Sequence, residues 1–237
     1  MTNKVQFVTV SDYLFDAKEL LPKPVSKYVP EWYSNIPIVN INTNFSYINK
    51  KRTAKTCPSF LDIYNEGYVI FAPTDVLFKV NEDGSWEWKT PFNFEIESKM
   101  QYVSVHEDEQ LINYLENTDI KKVFKINLPI KLITPKGYSS RQIHFPYSNT
   151  SEWETAYGVL STDKVHDLNI QILIKNYGET LIKQGTPIAV YIPFKREKYK
   201  LNIHREADRP DLRSKINKKY LLFNGTFRNT YLKEHKK

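Results

Sequence analysis

Cysteine is almost missing from this sequence, which contains a single one, Cys57, among 237 residues. One thiol excludes an internal disulfide framework and a zinc site built from cysteines. We therefore predict that Cys57, which precedes Pro58, is a small buried apolar residue rather than a nucleophile.

Long apolar runs are missing as well. No stretch approaches the roughly 20 apolar residues that a membrane-spanning helix needs. The N-terminal residues also lack the basic region and the apolar run of a secretory signal peptide. We expect the chain to have no membrane partner and not to be secreted through a signal peptide.

Glycine is scarce, with 7 residues against 13 prolines, whereas aromatic residues make up 14% of the chain. Aromatic and β-branched side chains suit pleated, half-buried surfaces, so this composition favours a mainly β protein. Short apolar segments at nearly even spacing predict a barrel or double sheet of the β-clip or jelly-roll kind, with a few short helices. The predicted strands of the C-terminal half are 123–128, 130–133, 139–145, 157–160, 168–175, 180–182 and 188–193.

The N-terminal half has its own signals. Residues 4–10 alternate as a strand does, and Ser11 can cap a helix from Asp12 to about residue 21. Residues 60–80 predict two strands with a junction near Gly67, and the polar stretch 40–55 predicts a loop or edge region. The sequence Asn-Glu-Asp-Gly at 81–84 predicts a hairpin, because Asp-Gly accepts positive φ.

Positive charge is concentrated at the end of the chain. Residues 195–237 contain 14 lysines and arginines against 5 acidic residues, a net +9, although the whole chain carries +7. We therefore divide the chain into a β-rich body, 1–197, and a basic, partly helical segment, 198–237. That segment could contact nucleic acid.

Three strings between residues 134 and 197 occur in an order known from other proteins. Gly137-Tyr138 is followed by Gly-Val-Leu-Ser-Thr-Asp at 158–163 and by Gly-Thr-Pro-Ile-Ala-Val at 185–190. This order resembles the β-clip core of the deoxyuridine triphosphatase and deoxycytidine deaminase families. The resemblance implies a pocket-forming hairpin at 158–163. However, the catalytic carboxylate position falls on Ser161, and the Arg-Ser-Gly motif is absent, with Ser140-Arg141-Gln142 the nearest string.

A second resemblance covers nearly the whole chain. It rests on Tyr-Val-Pro-Glu-Trp-Tyr at 28–33, on Lys-Thr-Cys-Pro-Ser-Phe-Leu-Asp at 55–62, and on the strings of the C-terminal half. With these strings the chain resembles an uncharacterised protein family encoded by large tailed phages, notably of marine bacteria. The resemblance implies a phage-encoded protein. It also implies a location in the cytoplasm of the infected host cell or in the virion.

The candidate ligand-binding residues are Arg141, Asp163, Arg196, Trp32 and Tyr33. The arginines can clamp an anion, and Asp163 is either a catalytic acid or a cap of the hairpin. Trp32 and Tyr33 can stack a ring. His144 and His166 would approach each other if their strands pair, but the histidine spacing predicts no metal site.

Three functions remain open from the sequence. The first is a non-enzymatic protein that binds a ligand or a protein partner, such as a virion or host-interaction component. The second is an enzyme acting on a nucleotide-like or other anionic small molecule, and the third is nucleic-acid binding by the basic segment. We expect no cofactor, and a homo-oligomer is compatible with each.

Overall fold

The computed structural model describes residues 4–42, 49–91 and 101–213, with the backbone alone at 40–42 and 49–52. The chain divides into two compact units, Met1–Arg196 and Glu197–Lys237. Among the described residues, every helix is too short or too polar to cross a membrane.

The first unit consists mainly of antiparallel strands, as the sequence predicts. Its strands are β1 Gln6–Thr9, β2 Lys23–Pro24, β3 Val39–Asn42, β4 Asn49–Arg52, β5 Tyr68–Phe71, β6 Val76–Val80, β7 Trp86–Lys89, β8 Val103–Val105, β9 Lys122–Ile133, β10 Tyr138–Ile143, β11 Trp153–Thr155, β12 Gly158–Leu160, β13 Asp167–Ile174, β14 Gly178–Ile182 and β15 Pro187–Lys195. The α-helices are α1 Asp12–Asp16, α2 Glu31–Asn35, α3 Pro58–Ile63 and α4 Ile112–Glu116. Short 3₁₀ helices span Val25–Lys27, Ala54–Thr56 and Asp108–Gln110, and a fourth, Glu206–Asp208, lies in the second unit.

Two larger sheets form the body. One has the order β1-β9-β13-β11, with β8 also paired to β9, and the other has the order β12-β10-β15-β5-β2. A smaller sheet, β14-β6-β7, and the hairpin β3-β4 complete the described strands. The mainly β prediction is confirmed.

The main core lies between the two larger sheets. Strand β9 contributes alternate side chains from Phe124 to Leu132, and β13 contributes those from Leu168 to Ile174. Ile188 and Tyr191 of β15 close the core from the opposite sheet. Because side chains alternate along a strand, each sheet also has an outer face, and on the second sheet this face is partly covered by α2 and α3.

Several local predictions are confirmed. The Ser11 side chain accepts a hydrogen bond from the Leu14 backbone N–H and so caps α1, which ends at Asp16, earlier than expected. The hairpin at 81–84 joins β6 to β7 with Gly84 at φ 84°. Residues 210–213 are helical, and the rest of the helix predicted there lies outside the described residues.

Other predictions are wrong in detail. Residues 60–63 belong to α3 rather than to a strand, because Pro58 at the first helical turn favours a helix start. The junction between β5 and β6 consequently lies at 72–75 and not at Gly67. The stretch 40–55 was predicted as a loop or edge region, and its described backbone includes the paired strands β3 and β4, a two-stranded sheet of their own. Strand β11 was not predicted.

Candidate functional site

Asp163 follows β12 in a tight turn, and its carboxylate is fully engaged. Oδ1 accepts a hydrogen bond from Arg196 Nη1 at 2.8 Å, and Oδ2 accepts one from Arg196 Nη2. Oδ2 also accepts the Gly137 backbone N–H at 2.9 Å. The Asp163 side chain is only 4% exposed, so these contacts leave little of the carboxylate open to another molecule.

Arg196 lies just past the end of β15 and binds more than the carboxylate. Its Nη1 donates to the Tyr138 carbonyl and to Ser139 Oγ, each at 2.9 Å, and its backbone N–H donates to the Gly137 carbonyl at 2.8 Å. The hydrogen bonds from Arg196, and then from Gly137, lower the pKa of Asp163 to about 2, while the same ion pair raises the pKa of Arg196. The pair therefore remains charged and joined at neutral pH.

A layer of hydroxyl groups lies behind this ion pair. Thr162 Oγ1 is 2.8 Å from Thr134 Oγ1 and 3.0 Å from Ser140 Oγ, and all three residues are buried. Ser161, which stands at the family's carboxylate position, is exposed. Hydroxyl groups do not act as bases near neutral pH, so this layer holds the 158–163 hairpin and supplies no general base.

Arg141 lies on the outer face of the same sheet. The β10–β15 register sets Ile143 opposite Val190, Arg141 opposite Ile192, and Ser139 opposite Phe194. The exposed Arg141 guanidinium lies over the Phe194 ring, with Cζ 4.8 Å from the ring centre. Within the described part of the chain, Arg141 forms no ion pair, so its donors remain available to an anion.

The three predicted anion-binding residues are thus neighbours with different tasks. Arg196 contacts Ser139, and Arg141 is two residues along β10 on the same face. Asp163 and Arg196 satisfy each other. The exposed Val159, paired with Arg141 across β10 and β12, adds an apolar side chain beside the guanidinium. We call Arg141, Phe194 and Val159 the β10 face.

Trp32 and Tyr33 lie on α2, which packs on this outer face. Tyr33 is 6% exposed and packs against Phe60 and Tyr64, whereas Trp32 is 40% exposed. Burial raises the pKa of Tyr33, and its hydroxyl has no hydrogen-bond partner among the described residues. The sequence placed both side chains in one candidate site, but only Trp32 is open to solvent.

Tyr147 is a residue of this region that sequence reasoning missed. Its φ of 56° is in the left-handed region, where a bulky residue is strained. The Trp32 indole N–H donates to the Tyr147 carbonyl at 3.3 Å, and the Tyr147 ring stacks on Phe60 with centres 4.5 Å apart. Nothing in the local sequence signals this conformation, which depends on contacts with residues distant in the chain.

His144 forms a second polar cluster that the sequence did not predict. The Thr155 backbone N–H donates to His144 Nδ1 at 3.1 Å, so the neutral ring carries its proton on Nε2. Nε2 lies 2.6 Å from Ser148 Oγ and 2.9 Å from Thr150 Oγ1. A protonated Nε2 cannot take a proton from Ser148, so the pair does not make a nucleophile and instead holds the 146–152 loop.

The described residues contain no assembled metal site, and they include only part of the basic segment. No group of three or more potential metal ligands occurs among them, and His166 Nδ1 lies 3.0 Å from the Thr162 carbonyl rather than beside His144. In the second unit, Arg209 pairs with Asp211 and Arg213 pairs with Glu206. Most of the basic segment lies outside the described residues, so nucleic-acid binding stays a prediction.

Comparisons with known proteins give a fold likeness. No protein-family model matches the chain, and no curated protein matches it either. Solved structures similar to it include a variant dUTPase of Staphylococcus bacteriophage 80alpha, at 13% identity and TM-score 0.42, covering 86% of this chain and 98% of that one. The same phage dUTPase solved with dUpNHpp has 12% identity and TM-score 0.41, with coverages of 86% and 99%.

A third similar structure is a variant dUTPase of phage phi11 of S. aureus, described with a structural Mg(II) ion, at 12% identity, TM-score 0.38 and coverages of 86% and 98%. These are phage proteins of the family that the β-clip resemblance names. At such low identity the likeness concerns the fold alone, and at these TM-scores it carries no argument about activity.

Proposed function

We propose that this chain is a non-catalytic binding protein whose β10 face holds an anionic group of a ligand or protein partner. One observation carries the proposal: both oxygens of the Asp163 carboxylate are occupied by Arg196 and Gly137. The segment that resembles a nucleotide hydrolase thus keeps its framework while its remaining acid serves as a clamp.

The electrostatics of Asp163 support a structural task. A general base works best with a pKa near the operating pH, whereas this pKa is about 2. Removing Arg196 from the carboxylate would also leave Arg196 Nη1 with only Tyr138 and Ser139 as acceptors. The ion pair therefore ties the hairpin after β12 to the end of β15.

Arg141 supports the binding task. The Phe194 ring attracts the guanidinium, whose Cζ lies 4.8 Å from the ring centre, and the guanidinium keeps several N–H donors for an anion. Planar guanidinium groups match carboxylates and phosphates through two parallel hydrogen bonds. Val159, 65% exposed, offers an apolar surface beside the guanidinium. We infer a ligand that combines an anionic group with an apolar or ring portion, as nucleotides do.

Calorimetric titration tests this function with inorganic phosphate, dUTP and dUpNHpp as probes. The last is the compound present in one of the structurally similar phage dUTPases. We expect saturable binding of a nucleotide that Arg141→Ala weakens about tenfold or more. Lys18→Ala, which removes an equal charge from an exposed position on the same unit, should leave it unchanged. Turnover of dUTP that disappears in Asp163→Asn would show an enzyme and overturn the proposal.

A further inference from the structure

The outer edge of β1 belongs to one of the two larger sheets, and the β10 face belongs to the other. We propose that this edge is an interface through which two copies of the chain pair, strand against strand. Strand β1 ends its sheet, with β9 on one side and no strand of the described residues on the other. A free strand edge presents backbone donors and acceptors that a second strand can satisfy.

The backbone register identifies the free groups. The Val10 N–H donates to the Pro129 carbonyl, and Val8 and Gln6 follow at alternate positions opposite Lys131 and Ile133. Hydrogen-bonded pairs alternate along an antiparallel ladder, so the backbone groups of Phe7 and Thr9 point away from β9. No other described backbone group bonds to them.

The edge is also apolar and lacks the usual protection. Val8 is 43% exposed, Val10 is 39% exposed and Phe15 is 65% exposed. A cavity of about 400 Å³ adjoins them and is lined by Phe7, Val8, Thr9, Phe15, Leu21, Pro22 and Ile130. The four residues of β1 include neither a lysine nor a proline, the residues with which exposed edges commonly resist pairing. Burying this surface removes apolar area from water.

The charges that flank β1 favour a second copy of the chain as its partner. A two-fold antiparallel pair centred on Val8 sets Phe7 of each copy opposite Thr9 of the other, which matches the free backbone groups. Ser11 is still extended, with φ −113° and ψ 119°, so Asp12 lies in line with the strand as the first residue of α1. The same register then places Lys4 opposite Asp12 at both ends. Both residues are exposed, and neither forms an ion pair with another described residue.

Sedimentation velocity over a range of protein concentrations tests the interface. We expect a monomer–dimer equilibrium for the full chain and a monomer for Val8→Lys, which sets two lysines against each other at the centre of the pair. The matched control is Val165→Lys, at a valine that is 57% exposed outside β1, and it should dimerise like the wild type. A wild-type monomer at every concentration, or equal dimerisation of both variants, would overturn the proposal.

Charge exchange tests the register. Lys4→Glu and Asp12→Lys should each weaken dimerisation about tenfold, since each turns two attractions into repulsions, and the double variant should restore it. Circular dichroism checks that each variant is folded. Singles that weaken the dimer without rescue by the double variant would exclude this register. A chain that stays monomeric but binds a separate extended peptide at β1 would contradict pairing between copies.

Discussion

Arg196 holds Asp163 through both carboxylate oxygens, although 33 residues separate the two in the chain. Gly137 completes the arrangement by donating its backbone N–H to Oδ2. Three loops of the β-clip-like segment are therefore joined at one acid.

Acid should weaken the fold through Asp163. Because the folded pKa of about 2 lies below the value near 4 of an unfolded aspartate, the ion pair stabilises the fold fully above about pH 4. That contribution is lost as the pH falls towards 2. In thermal unfolding at a series of pH values, Asp163→Asn should unfold at a lower temperature than the wild type at pH 7, and the two should converge near pH 2. An unchanged unfolding temperature at pH 7 would show that the ion pair does not stabilise the fold.

His144 predicts a second pH dependence, in a higher range. Burial lowers the pKa of His144, against a smaller opposite effect of Glu154 and with an additional lowering by Lys175. The unfolded state then binds its proton first, so stability should fall as the pH drops below about 6.5. Thermal unfolding between pH 8 and 5 should show this loss in the wild type and a smaller loss in His144→Gln. Equal losses would assign the effect to other groups.

Gly67 should tolerate no side chain. Its φ is 78°, and a Cβ would lie 2.6 Å from the Tyr191 carbonyl oxygen and 2.8 Å from Ile192 Cγ1. We expect Gly67→Ala to lower the free energy of unfolding by about 2–4 kcal/mol, from backbone strain and crowding together. Gly84→Ala is the matched control, with φ 84° and nothing within 4 Å, and should cost about 1–2 kcal/mol. Denaturant unfolding measures both, and equal losses would contradict the role of the close contact.

Removal of the Tyr33 hydroxyl group should stabilise the fold. Within the described part of the chain this hydroxyl is buried without a hydrogen-bond partner, which costs free energy that a phenylalanine avoids. Tyr33→Phe should therefore raise the free energy of unfolding by about 1 kcal/mol. A clear loss of stability would mean that the hydroxyl has a partner in solution.

Some elements could be predicted from the sequence and others could not. Ser11 and the Asp83-Gly84 turn act within a few residues, so their structures follow from local chemistry. In contrast, the sequence did not predict α3, because the apolar residues from Phe60 onward resemble a strand. Pro58 at the first helical turn favours a helix start there instead. Strand β9 runs unbroken through Pro129, where the sequence predicted two strands, because the Pro129 carbonyl still accepts from β1.

In the candidate site, too, the residue types could be predicted from the sequence and the long-range contacts could not. The sequence selected Arg141, Asp163 and Arg196 by residue type, and the strand register then decided their tasks. Nothing local indicates that Arg196 turns to Asp163 while Arg141 turns to Phe194. Tyr33 is buried and its neighbour Trp32 is exposed because α2 turns successive side chains in different directions.

Arg141 should dominate the affinity for an anion. Hydrogen bonds to a charged group contribute about 1.5–3 kcal/mol, so Arg141→Ala should weaken nucleotide binding about tenfold or more. Arg141→Lys should recover part of the loss, because an ammonium keeps the charge without the planar pair of donors. Calorimetry at two salt concentrations should also show weaker binding at high salt in the wild type. An unchanged affinity in Arg141→Ala would show that the β10 face does not bind the nucleotide.

A titration of the wild-type chain with dUTP tests the central claim most directly, because calorimetry records the heat of binding and any continuing heat of hydrolysis together. If the chain only binds the nucleotide, with both Asp163 oxygens held by Arg196, the heat of binding should saturate and no further heat should follow. A steady heat of turnover that Asp163→Asn abolishes would contradict the account.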